Sequence, residues 1–380
     1  MSRFDEIKER ERDQARRRAR PSALLIAWSA VLLAMGGVVI WLVVTGPGPT
    51  PPEAEFPTEM AVPDEGPQGT AEITTGMPDP EPQPMPAETA EPPAATLPPE
   101  SARSGMDSTQ AISLATDTNP ALLQETDRGH LPVRAADGRA AWQVYARPFD
   151  EFDTRPRIAI IITGAGLSSG RSQAALDTLP ADVTLALSHY ASDPERWVDA
   201  AREKGHEVLL MVPMEPGDYP RNDPGPQTLL VDASAAENLT RLHDVLSRAT
   251  RYVGVINQMG SRFTASEAAM TPILDDLRNR GLLFMDARST QYTVGVRLAR
   301  EMRLPRAANN RFIDNALNEA EILRQLEDIE NMARTYGAAA GVGRLYPVTI
   351  RTVARWAETL DERGFVLAPV SAIANRQPVQ

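Results

Sequence analysis

Arg157-Ile158-Ala159-Ile160-Ile161-Ile162-Thr163 is the stretch that decides the fold of this chain. Its apolar residues follow one another without the polar alternation of a half-solvated strand, so the segment needs cover on both faces, as in a parallel sheet flanked by helices. Outward from it, similar short runs recur at Val183–Ser188, Glu207–Met211, Tyr252–Asn257, Leu282–Asp286, Arg311–Asp314, Ala338–Gly343 and Phe365–Pro369. Amphipathic stretches separate them. Asp193 opens a helix that ends near Gly205, and Asp232 opens another over Ala233–Ala249. Thr264 and Glu267 form a capping box for a helix that stops at Gly281, and 318–336 and 349–363 supply two more. Roughly eight βα units in about 220 residues fit either a closed or nearly closed barrel or an open doubly wound sheet, and periodicity leaves both open.

The first third of the chain has a different character. No charged residue lies between Arg20 and Glu53, and residues 23–45 are almost wholly apolar, long enough as a helix to cross a hydrocarbon core of about 30 Å. Trp28 and Trp41 sit near its ends, and Arg16, Arg17, Arg18 and Arg20 crowd its N-terminal flank. The positive-inside rule then puts residues 1–22 in the cytoplasm and translocates the rest, giving an inner-membrane anchor with a periplasmic domain. Residues 46–130 are expected to form a disordered, acidic, Pro-rich tether. Close to half of the 33 prolines fall there, and Glu53–Glu100 contains no Lys or Arg. The globular domain is expected over 131–376.

The formal charge of −12 therefore belongs largely to the tether. The remainder carries no basic stretch interleaved with aromatics, which excludes a nucleic-acid partner. The absence of Cys excludes disulfides, Cys-ligated zinc and thiol nucleophiles, and suits a thiol-oxidising compartment. Thr163-Gly164-Ala165-Gly166 after the first strand is neither a dinucleotide fingerprint nor a P-loop. In either architecture, function collects at the C-terminal ends of the strands, which are Thr163, Ser188, Met211–Glu215, Asn257–Ser261, Asp286, Asp314 and Arg344. That set contains no His. Its carboxylates are Glu215, Asp286 and Asp314, and two of these on different strand ends, Asp286 and Asp314, are the candidate catalytic pair. Glu215, Asn257, Gln258, Ser261 and Arg344 are candidate substrate-binding residues. Arg344 next to Tyr346 suits a sugar carboxylate or hydroxyls beside an aromatic face.

Gly205-His206-Glu207-Val208-Leu209-Leu210 leading into Pro213-Met214-Glu215-Pro216, then Asn257-Gln258-Met259-Gly260-Ser261, Phe284-Met285-Asp286, Phe312-Ile313-Asp314 and Val342-Gly343-Arg344, resembles the divergent polysaccharide deacetylase family over about 157–371. The resemblance implies a distorted (β/α)7-type barrel. It also implies hydrolysis of N-acetyl groups on sugar polymers, with a divalent metal such as zinc held by an aspartate and two histidines beside an aspartate base.

Where that chemistry is expected, the chain departs from the family. The paired aspartates fall on Thr163 and Gly164, and the histidines fall on Met211, Gln258 and Arg344. These are feeble ligands, and Arg344 repels a cation. The expectation is a degraded metal site with no bound cofactor, on a protein that acts on or recognises cell-envelope polysaccharide or peptidoglycan. The alternative is a non-catalytic scaffold for glycan or an envelope protein.

Overall fold

A computed structural model describes residues 113–378 of the chain. The basic tail, the apolar segment 23–45 and most of the expected tether lie outside the described residues. Among those described, no helix is long and apolar enough to cross a membrane.

The isoleucine run forms β3 (Arg157–Ala165), whose Ile158, Ile160, Ile161 and Ile162 are wholly buried. Burying each such side chain stabilises the fold by about 1.5–3 kcal/mol. The strands that follow are β4 (Thr184–Ser188), β5 (Val208–Met214), β6 (Gly254–Met259), β7 (Leu283–Asp286), β8 (Arg306–Ala308), β9 (Arg311–Phe312), β10 (Ala338–Arg344) and β11 (Val366–Leu367). All pair in parallel, in the order β8-β7-β6-β5-β4-β3-β10-β9, with β11 beside the start of β3. From β3 to β8 the order simply follows the chain and never reverses. The sheet is therefore wound in one direction, not doubly, and it curls.

The curl can be read from connectivity. β8 and β9 lie at opposite ends of the pairing order, yet only Asn309 and Asn310 separate them. Three Cα steps reach at most about 11 Å, so the two edges of the sheet must meet. Asn309 binds the β7 side, its amide to the Asp286 carbonyl at 2.8 Å and its side chain to the Ala287 carbonyl at 3.1 Å. Asn310 binds the β10 side, exchanging two 2.9 Å bonds with the backbone of Ala340. Gln377 seals the gap, accepting from the Ala308 amide at 2.7 Å and donating to the Ala308 carbonyl at 2.7 Å and to Asn310 Oδ1 at 2.8 Å.

The helices on the outer face are α2 (Ser169–Thr178), α3 (Pro194–Glu203), α4 (Ala235–Leu246), α5 (Glu267–Arg280), α6 (Gly295–Glu301), α7 (Glu319–Tyr336) and α8 (Pro347–Glu358), after a single turn, α1 (Ala141–Val144). Asp193 and Asn318 cap α3 and α7 as their positions imply. Two starts differ from expectation. The reciprocal box that opens α4 is Ser234 with Glu237, not Asp232, because Asp232 reaches out to Arg262. Ser266, not Thr264, caps α5, because the Thr264 hydroxyl donates back to the Gly260 carbonyl at 2.7 Å. Small residues in β10 admit α7 closely. A Cβ on Gly341 would lie 2.5 Å from Ile329 and 3.0 Å from Ile313.

The boundary expected at 130 moves toward the N-terminus. Leu114 and Leu122 are buried, and β1 (Leu123–Thr126) pairs with β2 (Gly129–Pro132) in an antiparallel hairpin that begins inside the stretch assigned to the tether. Residues 113–150 form an arm across the N-terminal ends of the strands. Arg202, 2% exposed, donates to the carbonyls of Ala115 and Tyr145 at 2.8 and 2.9 Å, and Arg251 donates to the carbonyl of Thr116. Apolar burial and these guanidinium contacts outweigh the local composition.

Glu207 ties the same end together. It accepts from the amides of Arg147 at 2.8 Å and Ser371 at 3.1 Å and from the Ser371 hydroxyl. Burial pushes its carboxyl from the ordinary 4.5 up to about 7, against the opposing pull of Ser371 and Arg147. The folded chain thus keeps a proton that the unfolded chain has lost. The stability gained from that proton is complete below about pH 4.5 and is lost as the pH rises to about 7. Glu207→Gln preserves the shape and removes the titration. Across that window, urea denaturation at stepped pH should show the variant gaining on the parent by roughly 1.4 kcal/mol per pH unit. A pH-independent difference would show that Glu207 does not titrate there.

Candidate functional site

The C-terminal strand ends open into one cavity of about 510 Å³. Register fixes its floor. Thr163 of β3 lies beside Arg344 of β10, while Met211 of β5 lies beside Ile256 of β6, next to Asn257 and Gln258. Thr163, Gly164, Met211, Asn257, Gln258 and Arg344 all line the cavity.

Several of these groups are already engaged. The Thr163 hydroxyl donates to the Gly343 carbonyl at 2.9 Å, and the Gly164 amide donates to the Met211 sulfur at 3.3 Å. Gly164 has φ of +92°, so a carboxylate-bearing residue at this position would strain the backbone. Asn257 holds the β6 and β7 loops, accepting from the Ala287 amide at 2.8 Å and donating to the Met259 carbonyl at 2.7 Å. Gln258 differs from the rest. Its Oε1 is enclosed and has no hydrogen-bond partner, a deficit of about 1–3 kcal/mol that a bound donor would relieve.

The remaining candidates lie off the lining. Asp286 is fully buried, accepting from the Thr293 hydroxyl at 2.7 Å and the Arg288 amide at 2.8 Å, and burial raises its carboxyl above the ordinary 3.8. Asp314, 1% exposed, accepts from the Arg344 amide at 2.7 Å, Arg344 Nε at 3.3 Å and the Thr349 hydroxyl at 3.0 Å. These two carboxylates shape the loops that carry the cavity wall. Glu215 is buried against Arg262 and the Val231 amide, and Ser261 accepts from the Gly217 amide at 2.8 Å, which locks the β5 and β6 loops together. His189 is buried off the lining as well, and burial lowers it to about 4, so it is neutral at physiological pH.

The residues present do not fit a divalent metal. The cavity lining contains no His, Asp or Glu among the described residues. Among the described residues, no group of three or more His, Cys, Asp or Glu is placed to hold an ion. Thioether and amide donors beside a guanidinium cannot offset the cost of stripping water from a doubly charged cation.

Arg171 is the charged lining residue that strand-end reasoning missed. It stands on α2, a helix whose short, mostly polar sequence gave no periodic signal. Tyr346 also lines the cavity, its ring 5.2 Å from the Arg344 guanidinium carbon.

A curled parallel sheet with its cavity at the C-terminal strand ends is an α/β arrangement of the deacetylase-barrel kind. Over residues 160–374 the sequence matches the divergent polysaccharide deacetylases, and the chain belongs to that family. It is 26% identical over 206 residues to an uncharacterised protein of Haemophilus influenzae, covering 54% of this chain and 72% of that one. It is 24% identical over 223 residues to the uncharacterised protein YibQ of Escherichia coli, covering 59% and 69%. A crystal structure of an uncharacterised protein from Agrobacterium tumefaciens superposes with a TM-score of 0.63 at 38% identity, over 64% of this chain and 99% of that one.

Asp314→Asn presents an amide N–H where Arg344 or Thr349 also donates. It should lower stability by roughly 1–3 kcal/mol in denaturant titration. Unchanged stability would show that Asp314 does not hold the β10 loop.

Proposed function

We propose that this chain is a membrane-anchored periplasmic member of its family that recognises cell-envelope glycan at the mouth of its curled sheet, without metal-dependent deacetylation. The observation that carries this is the lining itself. It is a cavity of ligand size with hydrogen-bonding groups and aromatic faces, but no donor set for a metal. Gln258 offers an amide to an N-acetyl or hydroxyl group, and Tyr346 and Phe312 offer faces to a pyranose ring. In this reading Asp286 and Asp314 are positioning residues, since burial removes both from the lining.

Anchoring is assigned to residues 23–45, with residues 1–22 in the cytoplasm. An alkaline phosphatase moiety fused after residue 378 should then be active in cells, and an inactive fusion would reverse the topology.

A protein partner is the second reading. It is favoured by exposed apolar side chains on loops that follow strand ends, with Leu167 60%, Leu317 53% and Tyr292 70% exposed.

The test is calorimetric titration of the full-length chain in detergent with N-acetylglucosamine oligomers, with and without a chelator, alongside an assay for released acetate. Saturable binding that ignores the chelator, with no acetate formed, is expected. Zinc-dependent release of acetate would replace this reading with an active deacetylase, and absence of binding would favour the protein partner.

A further inference from the structure

We propose that the mouth selects an acidic glycan and that Arg171 and Arg344 are the two contacts for its carboxylate. The inference rests on the glycan reading above and adds the charge of the ligand. Among the described residues, Arg171 and Arg344 are the only charged side chains on the lining.

Their states differ in a useful way. Among the described residues, Arg171 has no hydrogen bond or ion pair, whereas Arg251 and Arg262 each hold two carboxylates. Arg344 is gripped along one edge. Nε faces Asp314 Oδ1 at 3.3 Å and Nη2 donates to the Asp314 carbonyl at 2.8 Å, while Nη1 has no protein partner. Asp314 is buried behind it and pairs with it, whereas Arg171 faces no carboxylate among the described residues. An arginine held by one edge, with its other N–H groups free, is preorganised to receive a carboxylate through paired N–H···O bonds. No acid on the lining competes for it.

Gln258 defines what should adjoin the carboxylate. Its enclosed Oε1 needs a donor, as the hydroxyl or amide N–H of a neighbouring sugar would supply. A cavity of about 510 Å³ accommodates roughly two sugar rings. The chemistry is therefore a sugar bearing a carboxylate, either a hexuronate or a lactyl ether, joined to a sugar that presents a hydroxyl or amide N–H to Gln258.

Three tetrasaccharides of equal length separate the possibilities by titration of the full-length chain. They are N-acetylglucosamine alone, N-acetylglucosamine alternating with glucuronate, and N-acetylglucosamine alternating with N-acetylmuramate. At low salt, at least one acidic oligomer should bind about tenfold tighter than the neutral one. That advantage should shrink as salt is raised and vanish in Arg171→Gln. Arg171→Lys, which keeps the charge but not the fork, should retain part of it. The acidic oligomer that binds names the source of the carboxylate. Equal affinity for all three would overturn the charge selection while leaving glycan recognition intact. No binding of any would overturn both. Arg171 is exposed and unpaired, so its variants should unfold at the parent temperature, and an unaltered acidic preference in Arg171→Gln would remove it from the site.

Discussion

The two-residue link between β8 and β9 is the constraint on which the rest of the fold depends. Because Asn309 and Asn310 reach between the last and first strands of the pairing order, the sheet cannot lie open. Its C-terminal ends converge on a common space instead of spreading along a line. Neither β8 nor β9 is long enough to close the gap with a ladder. Side-chain amides of Asn309, Asn310 and Gln377 do so instead, and amides satisfy backbone groups without adding charge to a buried seam. The cavity is a consequence of that closure, and so are the neighbours of Arg344.

The shape of the mouth is set by groups other than those that face the cavity. Loops that would present ligands are held by hydrogen bonds through Asn257, Ser261, Asp286 and Asp314, so the positions facing the cavity stay fixed whatever side chain each carries. The Gly164 backbone, at φ +92°, fits glycine better than an acid. Met211 and Gly164 satisfy one another, and Thr163 satisfies a β10 carbonyl. What remains available is an amide, two guanidinium groups and aromatic faces. That set suits a neutral or anionic organic ligand.

Much of this was legible in the sequence. Unbroken apolar runs announced β3 to β7 and β10, since a strand buried on both faces has no polar alternation to hide it. β8 escaped notice because Arg306-Ala307-Ala308 is short and begins with a charge, and α2 because its polar residues show no helical repeat. The part of the arm at 113–130 was read as tether because its composition is polar, while its order comes from Arg202 and Arg251, which lie far along the chain. Strand-end reasoning located the mouth, and of the seven residues assigned there to catalysis or binding, Asn257, Gln258 and Arg344 line it. It could not distinguish lining from support. Asp286 and Asp314 sit at strand ends too, and only side-chain direction turns them away from the cavity.

The most direct measurement is a zinc-edge anomalous map from crystals of the protein grown with excess zinc. The chemistry of the lining predicts no anomalous peak in the mouth. A peak coordinated by two or more side-chain donors there would contradict the metal-free site, and with it the assignment of this cavity to recognition.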